Sequence, residues 1–438
     1  MPIRPAESLY VHTPYCVRKC PYCDFFKVAR PDPAVATPKL PAGEAYLAAL
    51  RAEAMARRHL APAPRTVFIG GGTPSALTMD ELRELMAILH DTFDLSKVVE
   101  WTVEANPNSL TREKAKLLAD AGVTRMSIGV QSFDPSALAF LGRAHSADDV
   151  APAVAAVREA GIGALSIDLI SALGPAAGVR EPERSLRDID RALQLCEPLD
   201  HISVYTLIVE EGTPFHARAA AGEQLTPDDE TAARCYATTT ERIVAAGLRR
   251  YEISNYAREG SESRHNLAYW LCDPWLGLGP SAHSFDGRER RGNVRDLAAW
   301  VRAWQPGGDV HDAVSLVETL TPQQVLEERL LMGLRLADGI DFLAAAEAAS
   351  EVDEAGRVEW NEVARKAPEV TQDLVEAGLI EWRETGHGVG GTRQAAHGEQ
   401  PAGFNGGLRL KLTNAGIPLC DRLVLELALR LEPLIEAS

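Results

Sequence analysis

Three of the chain's seven cysteines, Cys16, Cys20 and Cys23, fall within one short stretch, YVHTPYCVRKCPYCDF. Thiolates are soft, anionic ligands, and an i, i+4, i+7 spacing on a loop lets three sulfurs converge on one metal centre. A cubane 4Fe-4S cluster usually takes four cysteines, so three leave one iron open to an outside chelator. S-adenosylmethionine (SAM), through its amine and carboxylate, is such a chelator. Two other readings stand beside this one. Zinc could take Cys16, Cys20, Cys23 and His12 as a Cys3His site, although the chain has no second CxxC pair. A disulfide framework would need an even set of cysteines and an oxidising compartment, and no apolar leader stands at the N-terminus MPIRPAES.

A loop of this kind needs a scaffold, and residues 8–209 carry the pattern of one. Short β-branched runs alternate with longer amphipathic segments, as in βα units on a parallel sheet. Strands are predicted over 9–12, 66–69, 100–104, 125–130, 165–170 and 201–207. Helices are predicted over 44–59, 79–93, 112–121, 148–160, 183–195 and 228–246, most of them opened by Asp, Ser, Thr or Pro. The Pro- and Ala-rich insertion 30–41 reads as a mobile loop. Six strands rather than eight imply an α/β fold built as a partial (β/α)6 barrel over residues 1–246, with a closing segment over 247–306.

Ligands of parallel α/β sheets sit at the C-terminal ends of the strands. The second predicted strand runs into Gly70-Gly71-Gly72-Thr73-Pro74, where missing β-carbons allow close backbone approach. The third ends at Glu104 and Asn106, the fourth at Gln131, and the fifth at Asp168, with Arg143 between the last two. Singly, each suits a cap or a turn. As a ring they match a zwitterionic, ribose-bearing ligand: carboxylates for hydroxyls and ammonium, and Arg143 for a carboxylate. Farther on, His265, Asn266, Tyr269 and Trp270, then WLGLGPSAH ending at His283, bring aromatics, glycines and two histidines together. The bland reading is a packed connection; the other is a wall for a flat apolar ligand with an axial histidine, as an iron porphyrin would want.

The CxxxCxxC motif with an aromatic before its last cysteine resembles the radical SAM superfamily. YVHTPYC, CPYCDF, GGGTPS, EANP, GVQS, LGR and HNxxYW are similar to the coproporphyrinogen oxidase-like family and, within it, to the HemW haem-chaperone branch. The resemblance spans nearly the whole chain. It implies a radical SAM barrel, a cluster on Cys16, Cys20 and Cys23, and SAM contacts from Gly71, Gly72, Thr73, Glu104, Gln131, Arg143 and Asp168, with Tyr10 against the cluster. It also implies haem as cargo near His265, Tyr269 and Trp270, apo-haemoproteins as recipients, and an electron donor if SAM is cleaved. Two departures are visible. The turn after the fifth strand, usually Gly-Leu-Pro-Gly-Gln in the family, is Ala172-Leu-Gly-Pro-Ala-Ala-Gly178 here. The oxidases of the family carry a fourth cysteine two residues after the third, where this chain has Phe25. An oxygen-independent coproporphyrinogen III oxidase is therefore the alternative reading.

Beyond residue 306 the composition turns to Ala, Glu and Leu. Helices over 321–336 and 363–377 and a hairpin from 378–382 and 408–413 suggest a helical, winged-helix-like domain over 307–438. Thr321 is expected to cap a first turn carrying Glu327 and Glu328. Such folds often bind DNA, but 318–381 holds fifteen acidic against five basic residues, and the chain carries a net charge of −17. A nucleic-acid partner is therefore not expected. The Gly-, His- and Gln-rich stretch 384–407, with His387 and His397, reads as disordered. No run approaches the roughly 18 apolar residues of a membrane span. A cytoplasmic protein is expected, with a peripheral membrane contact left open, and Cys196, Cys235, Cys272 and Cys420 are expected to be buried small hydrophobes.

Overall fold

The six expected strands form where the alternation places them, although the fifth runs three residues past Asp168. In the computed structural model, described for residues 5–30, 43–353, 356, 358–385 and 407–436, they are β1 (Ser8–Thr13), β2 (Thr66–Gly71), β3 (Glu100–Ala105), β4 (Arg125–Gln131), β5 (Ala164–Ser171) and β6 (His201–Thr206). All pair in parallel, in sequence order. Between them lie α1 (Gly43–Arg57), α2 (Met79–Thr92), α3 (Arg112–Asp120), α4 (Pro135–Phe140), α5 (Val150–Glu159) and α6 (Glu183–Leu195). α7 (Pro214–Ala220) and α8 (Asp229–Ala245) follow β6. Thr78 opens α2 in a reciprocal capping box with Glu81, and Thr111 and Asp228 cap α3 and α8.

One face of the sheet is uniformly apolar: Leu9, Val11, Val67, Ile69, Val103, Ile128, Leu165, Ile167 and Ile202 are all fully buried. The alternate residues on the opposite face are mainly polar, with Ser8, Tyr10, Thr66, Thr102, Glu104, Ser127, Asp168 and Ser203 among them. Because side chains alternate along a strand, this pattern directs the hydrophobic set to the helices and leaves a hydrophilic interior.

The segment after α8 departs from the expected closing wall. Its strands β7 (Arg249–Arg250), β8 (Asn255–Ala257), β9 (Trp275–Leu278), β10 (His283–Phe285), β11 (Glu289–Asn293) and β12 (Val314–Thr319) lengthen the sheet at both edges. The order is β12-β11-β10-β9-β1-β2-β3-β4-β5-β6-β8-β7, twelve strands in all. β9 runs parallel to β1, making a seventh parallel strand. Helix α9 (Arg264–Trp270) lies between these additions in sequence, and α10 (Leu297–Trp304) follows them.

The chain divides into two compact units. The first comprises residues 1–250, 254–269 and 273–318; the second comprises 251–253, 270–272 and 319–438. In the second, α11 (Pro322–Gly333), β13 (Ile340–Asp341), α12 (Phe342–Val352), α13 (Trp360–Val370), α14 (Gln372–Glu376), β14 (Ile380–Thr385), β15 (Gly407–Leu412) and α15 (Cys420–Glu436) form a winged-helix-like arrangement around a sheet of order β13-β15-β14. Three of these elements, β13, α12 and α15, were not anticipated from the sequence. Thr321 does cap α11, but its capping-box partner is Gln324, and Glu327 and Glu328 lie beyond the first turn. Most of the expected loop 30–41 and of the expected disorder at 384–407, with His387 and His397, lies outside the described residues; Glu384, Thr385 and Gly407 are instead the ends of β14 and β15.

Candidate functional site: a cysteine loop over a polar strand-end recess

β1 delivers the chain into the cysteine loop, and backbone bonds fix how that loop sits. Tyr15–Cys16 pairs in parallel with Val28–Ala29. The Gly72 amide donates to the Thr13 carbonyl at 2.7 Å, and the Thr73 amide to Tyr15 at 2.7 Å. Gly71 has φ +94°, open to glycine, and a β-carbon there would meet the His12 ring at 2.4 Å. A β-carbon on Gly72 would strike the Thr13 and Tyr15 carbonyl oxygens at 2.6 and 2.7 Å. The glycines thus let the β2 turn press against the cysteine loop itself.

The three motif thiols share one neighbourhood. Cys16 is buried and its Sγ accepts from the Thr73 hydroxyl at 3.4 Å; burial pushes its thiol pKa up, and the charges of Cys23 and Cys20 reinforce the rise. Cys20 Sγ accepts from the Arg143 guanidinium at 3.5 Å. All seven cysteines are free, and Cys196, Cys235, Cys272 and Cys420 are buried. The three sulfurs are not drawn into a closed ligand set: among the described residues no group of three His, Cys, Asp or Glu side chains is gathered around a metal-sized space. Phe25, at the fourth-cysteine position, is 66% exposed.

His12 takes no part in such a set. Its Nε2 bonds to the Phe26 carbonyl at 2.8 Å and its Nδ1 to the Tyr10 hydroxyl at 3.1 Å. A carbonyl can only accept, so Nε2 carries the proton and Nδ1 accepts from tyrosine. Burial lowers the His12 pKa to about 4, which keeps the ring neutral. The Cys3His zinc reading loses its fourth ligand.

Below the loop, the remaining residues of the expected ring come together. Arg143 donates to the Gly129 carbonyl at 2.6 Å and to Asn106 Oδ1, while its buried Nε has no partner among the described residues. Asn106 donates in turn to Thr73 Oγ1 at 3.2 Å, linking the loop, β2, β3 and Arg143. Gln131 has φ +64°, unusual for a residue with a side chain, at a register irregularity between β4 and β5. Glu104 takes one backbone bond, from Gly71 at 3.2 Å. Burial, then the negative charge of Asp168, raises its pKa to about 8. Asp168 is also raised by burial, and accepts from the Ser203 hydroxyl at 2.7 Å and from Ser127 at 2.9 Å. Ser127 and Ser203 were missed in the sequence; the signal was their place on the inward-facing period of apolar strands.

A buried triad underlies this recess. Arg184, fully buried, donates to Asp188 at 2.8 Å, to the Ile170 carbonyl at 2.7 Å and to Glu181. Asp188 accepts from Ser132 Oγ at 2.5 Å and the Phe133 amide at 2.9 Å, and Glu181 from the Leu173 amide at 3.2 Å. The turns after β4 and β5 are therefore tied to α6. The atypical 172–178 turn is further held by the Gly174 amide on the Leu225 carbonyl at 2.8 Å.

The residues expected against a porphyrin are placed differently. His265 is fully buried at the opposite end of the strands, with Nδ1 bonded to Thr66 Oγ1 at 2.8 Å and Nε2 to the Tyr269 hydroxyl at 2.9 Å. Its ring stacks on Phe68 at 5.2 Å, and burial lowers its pKa to about 3. Glu100 receives the Arg264 and His265 amides at 3.0 Å each and pairs with Arg125 at 3.2 Å. In this structure His265 is a core histidine with no nitrogen free for iron, because hydroxyls of β2 and α9 hold both. Tyr269 packs edge-on to Trp275 at 4.8 Å, and Trp270 belongs to the second unit.

Residues 10–175 match the family model described as the radical SAM superfamily. The chain is 35% identical over 353 residues to a Bacillus subtilis protein named heme chaperone HemW, covering 78% of this chain and 86% of that one. A Mycobacterium tuberculosis protein of the same name is 36% identical over 344 residues, with 78% and 85% covered. A zebrafish (Danio rerio) mitochondrial radical S-adenosyl methionine domain-containing protein 1 is 34% identical, with 76% and 73% covered. Among solved structures, coproporphyrinogen III oxidase from Escherichia coli superposes with a TM-score of 0.72 over 98% of this chain and 90% of that one. At 19% identity, that likeness concerns the fold.

Proposed function

Because the chain belongs to the radical SAM superfamily and, within it, to the HemW haem-chaperone family, we propose that it binds haem and delivers it to apo-haemoproteins. The observation that carries this reading is identity above 30% along most of both chains to proteins named for that role. Phe25 supports it, since its exposed phenyl ring stands where the oxidases of the family carry a fourth cysteine.

The residues present suit the cofactors of the superfamily. Cys16, Cys20 and Cys23 are free thiols on one loop and would hold a 4Fe-4S cluster, with SAM in the recess below. When bound, such a cluster supplies an open iron and an electron route to SAM. Arg143, with a buried Nε hydrogen unsatisfied, would receive an anionic group there. Glu104, largely protonated at neutral pH, can donate a hydrogen bond, whereas Asp168, oriented by Ser127 and Ser203, presents a fixed acceptor. Gln131, Tyr10, Gly71, Gly72 and Thr73 complete the lining.

The seven free cysteines support a reducing compartment, for which we propose the cytoplasm. No described helix is long and apolar enough to cross a membrane; a peripheral membrane contact and an electron donor for SAM cleavage belong to the same proposal.

Anaerobic purification with iron, sulfide and haem quantification, alongside an assay for protoporphyrinogen formation, tests the reading. Stoichiometric haem without product supports it. Product at a catalytic rate overturns it in favour of the oxidase.

A further inference from the structure

The two histidines of the segment after the barrel strands have opposite surroundings. His265 is enclosed with both nitrogens taken, whereas His283, on β10, is exposed. Strand pairing sets His283 opposite Gly292. A β-carbon on Gly292 would come within 2.9 Å of the imidazole and 3.2 Å of Leu316, so the glycine is the floor on which the ring lies, with Leu316 beside it. Ser284 turns to the other face, where it bonds Arg57 at 3.0 Å, and Phe285 returns to the side of His283 and packs on Trp275 at 5.1 Å.

Two guanidiniums lie within electrostatic reach of this ring, those of Arg290 and Arg295. Arg290 pairs with Glu318 at 2.8 Å. Arg295 reaches the cysteine loop, donating to the Asp24 carbonyl at 2.6 Å and to its carboxylate at 3.1 Å. The next residue, Phe25, is 66% exposed, and Leu316 is 36% exposed. An accessible imidazole, two cations and apolar surface are therefore linked across β10, β11 and the cysteine loop. That set matches a flat, apolar iron tetrapyrrole bearing two carboxylates.

We propose that His283 is the residue that takes the haem iron, with Arg290 and Arg295 receiving the propionates. The assignment rests on the reading that this chain carries haem, and it moves the site away from His265. Partial desolvation of the ring, then the charges of Arg290 and Arg295, lowers the His283 pKa, which favours the neutral imidazole that binds iron. Exposed aromatic and aliphatic surface at Phe25 and Leu316 would lie against the porphyrin.

The test is titration of ferric haem, and of its dimethyl ester, into the full chain as wild type, His283→Ala and Arg290→Gln/Arg295→Gln, followed by the Soret band. His283→Ala should lose the imidazole-ligated spectrum and bind haem at least roughly tenfold more weakly. The double arginine variant should weaken free haem but leave the ester, already weak on wild type, unchanged. If wild type takes no haem, the chaperone reading itself fails. If wild type binds and His283→Ala matches it in affinity and spectrum, the assignment to His283 is overturned while that reading stands.

Discussion

The hydroxyl of Tyr10 donates to Nδ1 of His12 at 3.1 Å, and with Nε2 on the Phe26 carbonyl this leaves the histidine nearest the cysteine motif no nitrogen for a metal. The ligand set is therefore expected to be the three thiols alone. His12→Gln should retain its full complement of iron and sulfide after anaerobic reconstitution, whereas Cys20→Ser should lose both. Loss of iron from His12→Gln with zinc bound to the wild type would reverse this assignment.

Arg143 joins the Cys20 sulfur, Asn106 and the Gly129 carbonyl, and it keeps a buried Nε hydrogen unsatisfied. Removing a charge-assisted contact costs about 1.5–3 kcal/mol, so Arg143→Ala should weaken SAM binding roughly ten- to a hundredfold. Calorimetry on protein with a measured, intact cluster checks this. Unchanged affinity would remove Arg143 from the site.

Glu104 has a folded-state pKa of about 8, well above an ordinary carboxyl group, because it is buried and faces Asp168. The folded state therefore keeps a proton that the unfolded chain has already released, and stability falls as pH rises from the unfolded value to about 8. Glu104→Gln removes that dependence. In thermal melts, the stability of Glu104→Gln relative to wild type should improve from about pH 5 to about pH 8 and then level off. A pH-independent difference would contradict the raised pKa.

His265 is held by Thr66 and Tyr269 and stacked on Phe68. His265→Ala takes from the Tyr269 hydroxyl its bond to the ring, worth about 1–3 kcal/mol, and opens a cavity, while the Thr66 hydroxyl keeps its bond to Ser8. Its melting temperature should drop by several degrees, while the folded fraction should still bind haem. A folded His265→Ala without haem affinity would return the site to α9.

Arg184 sits fully buried between Glu181 and Asp188. Removing one partner of a buried ionic group costs about 3–5 kcal/mol, because the remaining charges are stranded. Arg184→Ala should unfold at markedly lower denaturant concentration. With the turns after β4 and β5 released, it should also bind SAM more weakly where still folded. Wild-type stability would show that the triad holds nothing in place.

What the sequence determined follows from local patterns. Period-two alternation placed all six core strands to within about two residues of their ends, because the apolar face of each must meet a helix and a slip would bury polar side chains. The cysteine spacing and the strand-end positions single out Cys16, Cys20, Cys23, Glu104, Gln131, Arg143 and Asp168 as candidates without any tertiary contact. The 247–292 segment was beyond such reading. WLGL is short and interrupted by glycine, so nothing local marks it as a strand parallel to β1, and that pairing arises from contacts more than 260 residues apart in sequence. The same limit applies to the histidines. His265 and His283 both follow or precede aromatic residues within one segment, and residue type alone favoured the one in HNxxYW. Only tertiary structure separates their surroundings: α9 places His265 against Thr66 and Phe68, where its nitrogens are taken, while the β10–β11 hairpin lays His283 over Gly292 at the surface, within electrostatic reach of Arg290 and Arg295.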